Sequence, residues 1–130
     1  MTDVVWICRA GPGLASYRYR CETPAREVAK HNGFRVGIND GEADIVIFTK
    51  PVLDDIRVAK LLKVEGAKIV VDFQDNHFHT KAAEVYRGMT EIADNIICAS
   101  EVMQELIREE TGRDSCVIPD PYEFDECDPH

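Results

Sequence analysis

The sequence predicts a three-layer α/β/α fold with a mainly parallel sheet of about six strands, and three observations lead to it. Short apolar runs rich in β-branched residues recur at regular intervals along the 130 residues. Most of these runs are continuous rather than alternating, which is typical of strands covered on both faces of a parallel sheet. Helical patterns lie between most of them, as right-handed crossovers require. Together they indicate a single Rossmann-like domain over residues 1–130.

The apolar runs themselves place the strands. They are VVWIC at 4–8, RVGI at 35–38, DIVIF at 44–48, KIVVDF at 68–73, NIICA at 95–99 and CVIP at 116–119. With the helices described next, the order of elements is β-α-β-β-α-β-α-β-α-β. The length suits one domain with a sizeable core.

Four helices are predicted from apolar periodicity and from end signals. The first includes residues 24–31, with Thr23 as its N-cap and Gly33 beyond its end. The last begins after Ser100, a good N-cap, and ends at Gly112. The two helices between them cover residues 53–65 and 80–93.

The charge balance limits the classes of function. The chain has 24 acidic and 15 basic residues, a formal net charge of -9. Nucleic acids and anionic membranes are bound by cationic surfaces, so neither is expected as a partner. No apolar run approaches the length of a membrane span, and the N-terminus lacks the basic-then-apolar pattern of a signal peptide. We therefore expect a cytoplasmic protein.

Cysteine usage argues against a disulfide framework and against a zinc site, because the five cysteines are widely spaced and include no C-x-x-C pair. They are Cys8, Cys21, Cys98, Cys116 and Cys127. Cys8, Cys98 and Cys116 lie in predicted strands, where cysteine acts as a small buried hydrophobe. No bound metal is expected.

Glycines and polar residues concentrate in the segments that follow the strands, which is where doubly wound sheets bind ligands. The segment after the first strand reads RAGPGLASYRYR. Gly11 and Gly13 let the backbone approach a ligand. Ser16 stands where a dinucleotide-binding fingerprint has its third glycine, and the lysine and hydroxyl pair of a P-loop is missing. The segment therefore matches neither nucleotide motif.

Two arginines, Arg18 and Arg20, end this segment. They lie about 200° apart on an ideal helix, so both cannot serve one ligand there. Arginine is the usual fork for oxyanions. We expect Arg18 at least to contact an anionic or hydroxyl-rich ligand, and the other arginine to pair with an acidic neighbour. The alternative is that both are solvated on a helix face.

The fourth strand leads into VVDFQDNHFH, which places two aspartates and two histidines within eight residues. Carboxylates and imidazoles in such a cluster can act as a general base or contact a substrate. We assign these roles to Asp75 and His77, and a divalent cation bound by the cluster is the weaker alternative. The structural alternative is that Asp75 or Asn76 caps the next helix.

Lys50 follows the third strand and precedes Pro51. The functional interpretation is an ammonium group that reaches a phosphate or a sugar hydroxyl. The alternative is a surface lysine that the proline holds extended.

In order along the chain, these segments resemble the N-terminal half of nucleotide-sugar glycosyltransferases of the GT-B type. The matching segments are SYRYR with PAREVAK, ADIVIFTKP, GAKIVVDFQDNHF, YRGMTEIADNIICASEVMQELIREETGR and VIPDPYE. The most telling are IADNIICAS and the pattern from TGR to VIPDPYE. In this family they form a strand, a serine-capped helix and the strand that leads into the interdomain linker.

The resemblance implies an acceptor-side domain. In such a domain Asp75 and His77 would be the catalytic residues. The resemblance also implies that the transfer reaction does not depend on a bound metal ion. Substrate contacts would come from Gly11, Gly13, Ser16, Arg18, Lys50 and Asn76. This domain alone would bind no cofactor. Enzymes of the family use a nucleotide-sugar donor, which is held mainly by their second domain. This chain stops about where that domain would begin, so we expect a truncated form that is inactive until a donor-binding domain or partner chain closes the cleft.

The sequence also allows other functions and partners. One alternative is a stand-alone module that binds a sugar or a phosphorylated ligand without turnover. A receiver-like signalling domain fits worse, because Thr49 and Lys50 stand where its phosphoacceptor aspartate would end the third strand. An exposed cleft face would also permit a homodimer.

Overall fold

A computed structural model describes residues 1–9, 13–39 and 43–119, and it confirms the predicted α/β fold. The six strands are β1 (Thr2–Cys8), β2 (Phe34–Ile38), β3 (Ile45–Thr49), β4 (Lys68–Phe73), β5 (Asn95–Cys98) and β6 (Cys116–Val117). They form one sheet in the order β2-β1-β3-β4-β5-β6, and every neighbouring pair is parallel. The order reverses between β1 and β3, which is the kind of switch point where doubly wound sheets bind ligands.

The helical segments of the described chain are α1 (Ala15–Tyr17), a π-helical segment (Arg18–Glu22), α2 (Thr23–Ala29), α3 (Leu53–Val64), α4 (Ala83–Ile92) and α5 (Glu101–Thr111). The end signals of α5 act as predicted. Ser100 Oγ accepts the N–H of Met103 at 3.1 Å, and Gly112 takes the left-handed conformation with φ 76°. Across the described residues, none of these helices is long and apolar enough to cross a lipid bilayer.

The first helical region differs from the prediction that Thr23 caps a helix over residues 24–31. The helical backbone begins at Ala15 and continues without a break through Ala29, so Thr23 is internal and caps nothing. Pro24 explains the π-helical segment, because it has no N–H to donate to the carbonyl four residues back. The N–H of Thr23 instead reaches the carbonyl of Arg18.

The two faces of the sheet carry separate cores. On one face, α3, α4 and α5 cover a continuous apolar layer from β3, β4 and β5 that includes Val46, Phe48, Ile69, Val71, Phe73, Ile96 and Cys98. On the other face, the region from α1 to α2 packs against β1 through Val4, Trp6, Cys8, Cys21 and Ala25. Helices on both faces of a parallel sheet give the predicted three layers.

The cysteine predictions hold in part. Cys8 and Cys98 are buried as expected, and Cys21 is buried as well. Cys116 is exposed, contrary to the prediction, because it lies in the two-residue strand β6 at the edge of the sheet. Cys127 lies outside the described residues.

Candidate functional site

The carboxyl ends of β1, β3 and β4 lie level with one another. Cys8 is paired in register with Thr49, and Thr49 is paired with Asp72. The residues that follow these strands therefore gather at one edge of the sheet, as the sequence predicts. Lys50 directly follows β3, and the segment from Gln74 to His79 follows β4.

Lys50 adopts an unusual backbone conformation at this edge. Its φ is 52°, in the left-handed region, and its side chain is exposed. The alternative of an extended lysine before Pro51 is therefore wrong. A non-glycine residue in this region costs about 1–3 kcal/mol, and such strain is concentrated at ligand sites. The conformation turns the chain sharply at the end of β3.

The loop after β4 is held from below by aromatic packing. Phe73, at the end of β4, stacks on Tyr86 of α4 with ring centroids 4.1 Å apart. Phe78 is buried and meets the Tyr86 ring edge-on at 5.1 Å. The His77 ring also meets Tyr86 edge-on, at 5.5 Å. Phe78 thus anchors the loop in the core while its neighbours stay at the surface.

Hydrogen bonds fix the same loop. The Tyr86 hydroxyl donates to the carbonyl of Asp75 at 2.7 Å, and burial raises the pKa of this phenol, which keeps it a donor. Asn76 Oδ1 accepts the N–H of Phe78 at 3.2 Å. Asn76 therefore shapes the turn and does not cap α4, which begins only at Ala83. The loop is organised before any ligand arrives.

Three of the predicted site residues line one cavity of about 180 Å³. Its lining is Lys50, Pro51, Asp72, Gln74, Asp75, His77, Ala82 and Tyr86. Lys50, Asp75 and His77 thus come together although 27 positions separate the first from the last in the chain. An ammonium, a carboxylate and an imidazole around a small cavity can bind a hydroxyl-bearing ligand and accept a proton from it.

Thr80 holds both the backbone and the ring of His77. Its Oγ1 donates to the carbonyl of His77 at 3.1 Å and lies 3.4 Å from Nδ1 of the ring. Nε2 lies 4.0 Å from Oδ2 of Asp75, which is beyond hydrogen-bond length.

Arg20 pairs with an acidic neighbour, as predicted for one of the two arginines. Its Nη2 lies 2.6 Å from Oδ1 of Asp72 and its Nε lies 2.9 Å from Oδ2, and both side chains are buried. Arg20 Nη1 also donates to the carbonyl of Ile118. Asp72 thus lines the cavity with both carboxylate oxygens already bound to a cation, so the general base is left to Asp75 or His77.

The other predicted contacts lie elsewhere. Arg18 is partly exposed, donates to the carbonyl of Gly13 at 3.5 Å and lies 5.5 Å from the centroid of the Tyr19 ring. Neither Arg18 nor Gly13 lines the cavity. Ser16 is a residue of α1. Gly11 lies outside the described residues. Ligand contacts by these four residues stay predictions.

A second, more open cavity of about 720 Å³ adjoins the first and shares Gln74 and Asp75 with it. Asn76 lines this larger cavity, and its far wall is the first part of α5. That wall combines apolar side chains with acidic ones: Val102, Met103, Leu106, Glu101, Glu105 and Glu109. The two cavities are therefore neighbours at the carboxyl edge of the sheet.

The sequence did not identify Gln74 and Tyr86 as lining residues of this site. It also did not identify the ion pair formed by Arg9. Arg9 follows β1 and pairs with the fully buried Asp55 of α3, with Nη2 2.7 Å from Oδ1. Nothing local in the sequence marks a pair 46 positions apart. Tyr86 did carry a signal, since a tyrosine on the buried face of a helix needs a partner for its hydroxyl.

A more apolar groove of about 500 Å³ lies on the sheet face beside α2. Trp6, Ile47 and Ile97 contribute to its lining. Arg20 and Asp72 also reach it, but they are paired with each other. Glu27 and His31 line it as well, but most of the groove surface is apolar. Within residues 1–9, 13–39 and 43–119, no group of three or more histidine, cysteine or acidic side chains is arranged to hold a metal ion.

Comparisons with protein-family models, with curated proteins and with solved structures find no significant match to this chain.

Proposed function

We propose that this chain is the acceptor-side half of a nucleotide-sugar-dependent glycosyl transfer enzyme. The observation that carries the proposal is the cavity at the ends of β3 and β4, where Lys50, Asp75 and His77 converge. The sequence resemblance to the N-terminal half of GT-B glycosyltransferases supports the same conclusion. A donor-binding domain or partner chain would complete the site from the open side of this edge.

The residues of the cavity suit the chemistry of the acceptor. In glycosyl transfer the acceptor oxygen bonds to the anomeric carbon, the bond from that carbon to the nucleoside diphosphate breaks, and the hydroxyl proton passes to a base. The His77 imidazole or the Asp75 carboxylate would take that proton. The Lys50 ammonium would hold a neighbouring hydroxyl, or a phosphate if the acceptor carries one.

Equilibrium binding tests this assignment. We would titrate the chain with neutral hexosides and with hexose phosphates, and follow the ligand signals by saturation-transfer NMR. We expect Lys50→Ala and His77→Ala to weaken binding about tenfold or more, because each removes a charged or polar contact. Lys60→Ala and His79→Ala are matched controls, since both residues are exposed and neither lines this cavity, the larger one beside it or the groove beside α2. Equal binding by all variants would contradict the proposal.

A second candidate function is binding without catalysis. The separation of 4.0 Å between Asp75 and His77 favours it, because the two groups do not form a hydrogen-bonded acid–base pair. A transfer assay separates the two functions. We would incubate the chain and a bound hexoside with uridine and guanosine diphosphate sugars and look for a disaccharide. Turnover by the chain alone would mean that it also binds the donor.

A further inference from the structure

Gln74 occupies the junction of the two cavities. It is the first residue after β4, and with Asp75 it belongs to the lining of both. The smaller cavity, about 180 Å³, lies below the range of about 300–1,000 Å³ typical of ligand pockets, and the larger lies within it. The smaller cavity is therefore too small for a whole sugar ligand, and the larger cavity on the other side of Gln74 offers room for the rest of it.

The amide of Gln74 has an unmet hydrogen bond. Its Nε2 is buried, and among the described residues it has no hydrogen-bond partner. Two polar side chains near it in the chain have other partners: Asp72 is paired with Arg20, and Asn76 Oδ1 accepts the N–H of Phe78. A buried donor without a partner costs the folded protein about tenfold or more in its unfolding equilibrium constant. Rotation of the amide group would bring Nε2 to the cavity surface, where an oxygen atom of a ligand would satisfy it.

The walls of the larger cavity restrict that ligand further. Val102, Met103 and Leu106 provide apolar surface along α5. Glu101, Glu105 and Glu109 stand beside them, and Asp75 lies on the opposite side. Four carboxylates repel a phosphorylated ligand on this side. A neutral glycoside with an apolar aglycone fits both the apolar surface and the charge.

We propose that Gln74 is a specificity-determining residue that donates a hydrogen bond from Nε2 to an oxygen of a neutral glycoside acceptor lying across both cavities. This inference rests on the proposed function, because it takes the smaller cavity as the place of the reacting hydroxyl. Gln74 acts on binding and orientation and takes no part in proton transfer.

The test compares Gln74→Leu with Gln104→Leu in the full chain. Gln104 is the matched control, because its Nε2 has a partner, the carbonyl of Ser115 at 2.7 Å. The readouts are urea unfolding of the ligand-free protein and the affinity for 4-nitrophenyl hexosides. We expect Gln74→Leu to leave the unfolding equilibrium constant unchanged or lower, since it removes an unsatisfied donor, and to weaken hexoside binding about tenfold. Gln104→Leu should raise the unfolding constant and leave the affinity unchanged.

The outcomes separate this inference from the proposed function. If Gln74→Leu destabilises the ligand-free protein as much as Gln104→Leu does, the amide is structural and the inference fails. If the wild type binds hexosides and Gln74→Leu binds them equally well, the inference fails while the proposed function stands. If the wild type binds no hexoside and no hexose phosphate, the proposed function fails, and the inference fails with it. Tighter binding of hexose phosphates than of hexosides would overturn the assignment of a neutral acceptor.

Discussion

Arg20 and Asp72 form a buried, two-point ion pair that joins the π-helical segment to the end of β4, with Nη2 2.6 Å from Oδ1 and Nε 2.9 Å from Oδ2. The same guanidinium reaches the carbonyl of Ile118, just beyond β6. One side chain thus connects three segments beneath the candidate site. Because both carboxylate oxygens are used, the pair neutralises a charge that would otherwise stand in the cavity wall.

Removal of Arg20 should destabilise the fold strongly, and removal of Arg18 should not. Arg20→Ala leaves Asp72 buried without its cation, which costs about 3–5 kcal/mol in the free energy of unfolding. Arg18 is partly exposed, so we expect Arg18→Ala to cost about 0.5 kcal/mol or less. Urea unfolding of the two variants measures both values.

The outcome also tests the role predicted for Arg18 as a ligand contact. Arg18→Ala should weaken binding of a sugar or phosphate ligand while it unfolds at nearly the wild-type urea concentration. A loss of more than about 2 kcal/mol for Arg18→Ala would make this arginine structural.

Two neighbouring aspartates at the start of α3, Asp54 and Asp55, should differ in how much their replacement lowers the free energy of unfolding. Asp55 is fully buried and accepts the N–H of Val52 at 2.8 Å as well as two hydrogen bonds from Arg9. Asp55→Ala removes a helix cap and a buried pair, so we expect a loss of at least about 2 kcal/mol. Asp54→Ala is the matched control, because Asp54 is exposed and pairs along the helix surface with Arg57, a contact worth about 0.5 kcal/mol or less. Thermal or urea unfolding of the two variants gives the comparison, and equal losses would contradict it.

Asp94 should make stability depend on pH. The N–H of Ile69 donates to its carboxylate at 2.8 Å and Lys63 lies nearby, so the pKa of Asp94 is held below its ordinary value of 3.8. A carboxyl with a lowered pKa in the folded state stabilises the protein at higher pH, and the contribution is lost as the pH falls below that ordinary value.

The comparison of the wild type with Asp94→Asn isolates this effect from other carboxylates. We expect the variant to be less stable than the wild type at about pH 7, and the difference to shrink at about pH 3. Urea unfolding at both values measures it. A difference that does not change with pH would show that the charge of Asp94 contributes nothing.

The close approach of α3 and α4 at Gly88 gives a prediction about packing. A Cβ atom on Gly88 would lie 2.5 Å from Cδ1 of Ile56 and 3.2 Å from its Cγ1. Gly88→Ala gains about 1 kcal/mol in helix propensity but must displace that side chain. We therefore expect Gly88→Ala in combination with Ile56→Val, which removes Cδ1, to be more stable than the sum of the two single changes predicts. A double-mutant cycle by urea unfolding measures this coupling, and strictly additive effects would contradict it.

The sequence predicted those features that depend on local patterns. Apolar periodicity and the end signals at Ser100 and Gly112 placed α5, and β-branched runs placed the six strands. The position of Asp75, His77 and Lys50 at one edge followed from the rule for parallel sheets. Local patterns carry no information on lateral strand order, and none was predicted.

The features that were missed depend on residues far apart in the chain or on unusual backbone. Arg20 and Asp72 are 52 positions apart, so no spacing rule connects them. The left-handed Lys50 contradicts the usual preference for an extended residue before proline. The π-helical segment depends on Pro24 within a continuous helix, where the sequence alone favours a helix start.

The most direct test of the central claim is to map where a glycoside binds. The claim is that the cavity at the ends of β3 and β4 holds the acceptor. We would titrate the ¹⁵N-labelled chain with a 4-nitrophenyl hexoside and follow the backbone amides by heteronuclear NMR. We expect shifts concentrated at Lys50, in the loop from Gln74 to His77 and at the start of α5, with the groove beside α2 unchanged. Shifts confined to that groove, around Trp6 and Ile47, or no shifts at all, would contradict it.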